Sequence, residues 1–290
     1  LAVRTLSIAA LQTAPLAGEP EATLEQLADQ AAGVLRVSPH VQLLLVPELH
    51  LSAPPPAFDE DDGYAAEVAV EIPGPFTERL GEIAAATGLW LVPGSVYERG
   101  EDGRIHNTAV AISPTGGLAA VYRKAFPWQP HERTAAGNRF VCFDLPGIGR
   151  AGLAICYDGF FPEVFRQLAW MGAEVVLQPT LTTTSDRAAE LVTARANAIV
   201  NQFYVVNVNA ASPAGLGRSL VVDPEGLVRV QAGEGEELVT DVIDLDAVAR
   251  VRRFGTAGVS RMWEQLDSGA ASELELPMYA GGRIQPRPAG

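Results

Sequence analysis

The stretch V-Y-R-K-A-F-P-W-Q-P-H-E, residues 121–132, carries the side chain best suited to unusual chemistry. Lys124 is the only lysine in 290 residues; lysine and arginine together number 21, so the other 20 basic residues are arginine. Arginine is a flat, permanently charged fork, whereas lysine is a compact point charge on a flexible stem. A sequence with this bias keeps a lysine where a compact ammonium must stand near a reacting atom. The neighbours Tyr122, Phe126, Pro127 and Trp128 are not those of a merely solvated charge.

Cys156 is the second candidate. It closes the apolar run G-R-A-G-L-A-I-C and precedes Y-D-G-F-F-P-E, with a helix expected from Pro162. Strand, sharp turn and helix present a nucleophile and leave the next backbone N–H free for an oxyanion. The thiolate is the attacking species. A nearby ammonium would lower the thiol pKa, and a nearby carboxylate could take the proton directly. Cys142, inside F-V-C-F, reads instead as a buried structural cysteine. Glu48 follows the apolar run V-Q-L-L-L-V and Pro47, and the end of a buried strand is a common place for a catalytic group.

Other polar residues offer less. Asn207 and Asn209 alternate with Val206 and Val208, as buried hydrogen-bonders on one strand do. Arg195 and Asn197 share a helix and read as structural. His40, His50, His106 and His131 are scattered and lack zinc-ligand spacing. A Cys–His pair with His106 or His131 as base stays open. No glycine-rich phosphate cradle is present, and Gly215-x-Gly217 alone is too weak to count.

The elements that must position these groups alternate. Strands are expected over 5–11, 41–46, 89–97, 104–113, 118–122, 140–144, 149–156, 174–177, 203–209 and 237–244, with a hairpin over 220–230. Helices are expected over 21–37, 76–87, 162–171, 186–200 and 245–253, the fourth capped by Ser185. Residues 52–62, with three prolines and an acidic run, read as a loop, and everything after Gly255 as an extended tail. V-Q-L-L-L-V-P-E at 41–48 resembles A-E-V-V-L-Q-P-T at 173–180, each after a helix, which suggests two similar halves. Interleaved helices and strands with hairpins make this an α/β domain with mixed sheets.

Composition sets outer bounds. Hydrophobic residues make up 48%, enough for a substantial core, and the net charge of −14 argues against a nucleic-acid binder. Two cysteines suit a reducing cytosol. No apolar run reaches the ~18 residues of a membrane span, and the N-terminal stretch lacks the pattern of a signal peptide.

Taken together, L-V-P-E-L at 45–49, Y-R-K at 122–124, G-L-A-I-C-Y-D at 152–158, F-P-E at 161–163, M-G-A-E at 171–174 and A-R-A-N-A at 194–198 resemble the nitrilase superfamily of carbon–nitrogen hydrolases. The resemblance covers roughly residues 5 to 250. It implies a four-layer α-β-β-α sandwich of two related halves, with a hydrolase domain over 1–255 and a tail over 256–290 that packs on a partner subunit. It also implies a Glu–Lys–Cys triad of Glu48, Lys124 and Cys156, with Glu132 as an assisting carboxylate. The oxyanion would rest on Lys124 and the Tyr157 N–H. Trp128, Tyr157 and Phe160 would wall the substrate site, with Gln178 and Thr180 as further contacts.

The activity so implied is cytoplasmic hydrolysis of small aliphatic amides to acid and ammonia. No cofactor, metal, nucleic acid or membrane would take part, and the chain would form a homodimer or higher homo-oligomer. F-P-W-Q-P-H-E is similar to a stretch of aliphatic amidases, although Leu49 stands where tyrosine often follows their first glutamate. N-carbamoyl-amine hydrolases commonly carry arginines where Gly159 and Phe160 stand, and true nitrilases carry C-W-E where Cys156-Tyr157-Asp158 stands. A non-catalytic binding member of the same fold is the alternative of another class.

Overall fold

Alternation along the buried strands builds the layers. In β1 (Thr5–Gln12) and β2 (Leu43–Leu45), residues Leu6, Ile8, Leu43 and Leu45 pack into a core shared with a second sheet. Their neighbours Ala9 and Leu44 pack the other way, against Leu24, Leu27 and Ala31 of α1 (Pro20–Val37). A period of two in the strands thus meets a helical stripe on one side and a sheet on the other. Each fully buried leucine contributes about 1.5–3 kcal/mol of transfer free energy. The computed structural model describes residues 3–54, 63–269 and 273–284. Within the loop expected over 52–62, residues 55–62 lie outside the described residues.

The remaining elements of the first half are α2 (Tyr64–Val68), α3 (Pro75–Thr87), β3 (Trp90–Val92), β4 (Ser95–Arg99), β5 (Ile105–Ile112) and β6 (Leu118–Arg123). The second half comprises β7 (Cys142–Leu145), β8 (Gly149–Leu153), α4 (Pro162–Trp170), β9 (Val175–Thr180), α5 (Arg187–Asn201), β10 (Tyr204–Asn209), β11 (Leu220–Val222) and β12 (Val228–Gln231). The last strand, β13 (Glu237–Asp244), returns to the first sheet, whose order is β13-β1-β2-β3-β5-β4 with β6 on β5. The second sheet runs β12-β11-β10-β9-β8-β7. Each contains a parallel trio, β1-β2-β3 or β8-β9-β10, with helices in the crossovers and antiparallel strands outside. The halves suggested by the sequence echo are therefore real, and β2 and β9 are its two copies.

Two expectations are corrected. The strand expected over 89–97 is broken at Pro93-Gly94 into β3 and β4. Gly94 has φ +79, and a Cβ there would lie 1.7 Å from the Pro47 carbonyl oxygen. Only glycine permits that approach, and it seats the turn against the residue before Glu48. The region after Gly255 is not simply extended. Beyond α6 (Asp246–Phe254), α7 (Met262–Asp267) folds back on the chain. Trp263 explains this: it is buried, its indole N–H donates to the Asn201 carbonyl at 3.1 Å, and the Arg252 guanidinium lies 4.7 Å over its ring. Residues 270–272 and 285–290 of the expected tail lie outside the described residues. Among the described residues no helix is long and apolar enough to cross a membrane.

Candidate active site

Glu48, Lys124 and Cys156 all stand just past strand ends, and the pairing of strands brings those ends together. The chain leaves β2 through Val46 and Pro47, and the Glu48 N–H donates to the Thr180 carbonyl at 3.2 Å. Thr180 is the position matching Glu48 in the sequence echo, so the two halves meet at their corresponding residues. Leu49 then adopts φ 49, and its N–H donates to Ser95 Oγ at 3.0 Å. Lys124 directly follows β6, its backbone N–H donating to the Asn107 carbonyl on β5 at 2.8 Å.

The Lys124 ammonium lies between two carboxylates. Nζ donates to Glu48 Oε1 at 2.8 Å and to Glu132 Oε2 at 2.6 Å. Asn107 Nδ2 bridges the same two acids, at 2.8 Å from Glu48 and 3.0 Å from Glu132. Glu48 Oε2 accepts the Leu181 N–H at 2.8 Å; Glu132 accepts the Trp128 N–H at 2.9 Å and the Thr134 hydroxyl at 2.8 Å. Burial alone would lower the Lys124 pKa, but the charges of Glu48 and Glu132 outweigh it and hold it well above its ordinary value. Burial alone would raise the Glu132 pKa, and Lys124 pulls it below the ordinary value instead. Glu48 differs: burial dominates and its pKa stays raised despite Lys124. Of the two acids it is the one poised to accept a proton.

Cys156 opens a 3₁₀ turn, Cys156–Phe160, with φ 42 at the cysteine itself. Positive φ at a non-glycine residue is strained and characteristic of sharply presented side chains. Asp158 fixes the turn. It is fully buried and accepts the Ile155 N–H at 2.9 Å, the Tyr122 hydroxyl at 2.7 Å and the Phe126 N–H at 2.9 Å. It therefore ties the cysteine turn to both sides of Lys124. Burial pushes the Asp158 pKa up to about 6. Gln178 Nε2 supports the turn from beneath, donating to the Cys156 carbonyl at 2.9 Å. Burial and the Glu48 charge push the Cys156 thiol well above its ordinary value, against the pull of Lys124. Cys156 therefore rests as a thiol beside Glu48.

The cleft over these groups has a volume of about 190 Å³. Glu48, Lys124, Glu132 and Cys156 line it, as do Trp128, Tyr157 and Phe160. Gln178 and Thr180 do not line it. Gln178 acts under the turn, and the Thr180 hydroxyl donates to Asn209 Oδ1 at 3.1 Å. Neither His106 nor His131 lines it; the His106 ring bonds the Ala135 carbonyl at 2.8 Å, and His131 packs on Trp128. Arg195 and Asn197 hold the backbone at Gly226 and Gly159. Asn207 and Asn209 are fully buried and bonded. Cys142 sits half-buried on β7 with its thiol near the Leu168 carbonyl.

Sequence reading missed Asn107, Thr182, Glu190 and Arg187. Asn107 could have been found as an amide inside the expected strand I-H-N-T-A-V-A-I, whose polar residues His106 to Thr108 cluster next to an apolar run. Arg187 and Glu190 carry no such signal, because an oppositely charged pair three apart on a helix normally faces water. Here Arg187 reaches under α5 to Glu190 and Asn207, both at 2.8 Å. Among the described residues no cluster of His, Cys, Asp or Glu is placed to hold a metal ion.

This arrangement has counterparts. The carbon-nitrogen hydrolase family model matches residues 7–253. The human omega-amidase NIT2 is 33% identical over 206 residues, spanning 66% of this chain and 74% of that protein. The structure of Saccharomyces cerevisiae Nit3, a member of branch 10 of the nitrilase superfamily, superposes with a TM-score of 0.77 at 26% identity, covering 86% of this chain and 94% of that one. A Nesterenkonia amidase superposes with a TM-score of 0.74 at 26% identity, covering 87% and 97%. Related structures of that amidase hold butyramide, or carry the acetamide moiety of fluoroacetamide added covalently at the active-site cysteine. From a match running through both sheets and all three strand ends, the chain belongs to the carbon–nitrogen hydrolase family.

Proposed function

We propose that this chain is an amidase that hydrolyses small, uncharged aliphatic amides to carboxylic acid and ammonia through a thioester on Cys156. The observation that carries this reading is a buried ammonium held between two carboxylates in the cleft that Cys156 lines. Glu48 takes the thiol proton as sulfur attacks the amide carbon. Lysine has three ammonium protons; Glu48 and Glu132 take two, and the third meets the oxyanion. The Tyr157 N–H, at the start of the 3₁₀ turn where no intrahelical acceptor exists, is the second donor. Each donor of this kind is typically worth about 100- to 1000-fold in rate. Glu48 then gives its proton to the departing nitrogen, releasing ammonia. It next activates the water that opens the thioester, returning a proton to sulfur. Glu132 keeps Lys124 in place and orients the substrate nitrogen. An arginine fork is too broad for the gap between two carboxylates and a tetrahedral carbon.

The substrate class follows from size and charge. The cleft is smaller than the ~300 Å³ where pockets for drug-sized ligands begin. Among the described residues Lys124 is the only cation lining it, and Asp186 lines it too. Among the described lining residues, a substrate carboxylate would meet no second cation and would face Asp186. The butyramide complex of the Nesterenkonia amidase supports the same class. The test is ammonia release across amides, N-carbamoyl amines and nitriles. Butyramide-like amides should saturate the enzyme and release ammonia without carbon dioxide. Carbon dioxide from N-carbamoyl substrates, with no amide turned over, would overturn the reading.

A further inference from the structure

Beside Cys156, Thr182 lines the same cleft and leads into a second buried network that the proposed chemistry does not use. Thr182 Oγ1 is 3.8 Å from Cys156 Sγ, within reach of a thiol hydrogen bond. The same oxygen donates to Glu190 Oε2 at 2.6 Å. Glu190 is anchored on α5, and its acceptor role is fixed by two further donors: Arg187 Nη1 at 2.8 Å on Oε2 and Asn207 Nδ2 at 3.1 Å on Oε1. Arg187 is itself committed to the Gly217 carbonyl at 3.0 Å and the Arg218 carbonyl at 2.8 Å. Arg187 and Asn207, donating to its two oxygens, hold Glu190 in place as the acceptor of the Thr182 hydroxyl.

A threonine hydroxyl has one proton. Here it goes to Glu190, so the oxygen turns only lone pairs toward sulfur. We propose that Thr182 is a positioning residue for the nucleophile: held as an acceptor by Glu190, it takes the Cys156 S–H at rest, favours the thiol over the thiolate, and aims the sulfur. A hydrogen bond to the neutral form of a group disfavours the charged form. The other groups facing the sulfur are Glu48 past the end of β2, Lys124 past β6 with Glu132 behind it, and the Leu181 N–H. Lys124 and the Leu181 N–H favour the thiolate, and burial, Glu48, Thr182 and Glu190 oppose it. Sulfur therefore gives up its proton to Glu48 only as its bond to the carbonyl carbon forms. A free thiolate, open to oxidation or alkylation, does not accumulate.

This inference rests on the proposed role of Cys156, but its test needs no amide. The rate of Cys156 alkylation by iodoacetamide is measured against pH in the full chain, with the modified peptide resolved from that of Cys142 by mass spectrometry. Thr182→Val keeps the shape and removes the acceptor. Its profile should shift to lower pH by about half a unit, making alkylation at pH 7 about threefold faster. Thr182→Ser restores the hydroxyl and should keep the wild-type profile. A Thr182→Val profile that stays in place or moves to higher pH overturns the proposal, as does a Thr182→Ser profile that shifts with it. An enzyme that hydrolysed no amide would sink the amidase reading and leave this measurement standing.

Discussion

Lys124 and Arg187 are both buried cations paired with glutamate, yet only one of them faces the cleft. Arg187 spends its fork on Glu190, Asn207 and two backbone carbonyls, so every direction it points in is closed. Lys124 gives two of its three protons to Glu48 and Glu132 and keeps one for whatever enters. Burying either charge is costly, and the cost is recovered only by close pairing. The arginine cluster is therefore closed scaffolding, whereas the lysine cluster keeps one donor open, which the proposed mechanism gives to the substrate.

Mutations should separate the two. Cys156→Ala should reduce turnover by about 10,000-fold or more while the urea unfolding midpoint stays near that of the wild type. Arg187→Met leaves Glu190 buried without its cation and should destabilise the fold by about 3–5 kcal/mol. The fraction that remains folded should keep kcat/KM within about tenfold, since no reacting atom is touched. Lys124→Arg should behave in the opposite way. Stability should fall by only ~1–3 kcal/mol from overpacking, while kcat drops about 100- to 1000-fold because the fork cannot supply the free proton in the right place. If Arg187→Met removed activity and left stability intact, the division between scaffold and reacting cluster would be wrong.

Acidity offers a finer test. Glu48 must be ionised to act as base, and burial raises its pKa above the ordinary 4.5. The acid limb of kcat/KM should therefore lie above 4.5, and a limb below it would exclude Glu48 as the base. Stability carries two opposing signs. Glu132, held below 4.5 by Lys124 despite its burial, contributes stability that is present above 4.5 and lost as pH falls through its folded value. Glu48, raised, contributes stability that is present below 4.5 and lost as pH rises through its folded value. Glu132→Gln should flatten the acid side of the stability profile.

What could be read from the chain and what could not follow the same division. Glu48, Lys124 and Cys156 were legible because each ends an apolar strand and each is a rare residue type in its setting. Glu48 and Cys156 follow strands of the two parallel trios, and β6, antiparallel to β5 as β5 is to β3, ends at the same edge of its sheet as β2, so Lys124 joins them there. Glu132 was visible through its spacing from Lys124 in a stretch with aromatic and proline neighbours. Arg187 and Glu190 were illegible because local spacing describes a helix face and says nothing of what covers it. Thr182 sits in a run of threonines, and only its contacts with Cys156 and Glu190 distinguish it. Gln178 and Thr180 stand at the correct strand end but point beneath the cleft, since the twofold alternation of β9 decides which side chains face it. The break at Gly94 depends on a contact with Pro47 far away in sequence.

The most direct test of the thioester is to quench the enzyme with acid during steady-state hydrolysis of butyramide and map the mass of each cysteine peptide. The account predicts one added acyl group on the peptide containing Cys156, none on that containing Cys142, and loss of the adduct as substrate is exhausted. An acyl group on any other residue, or undiminished turnover by Cys156→Ala, would contradict it.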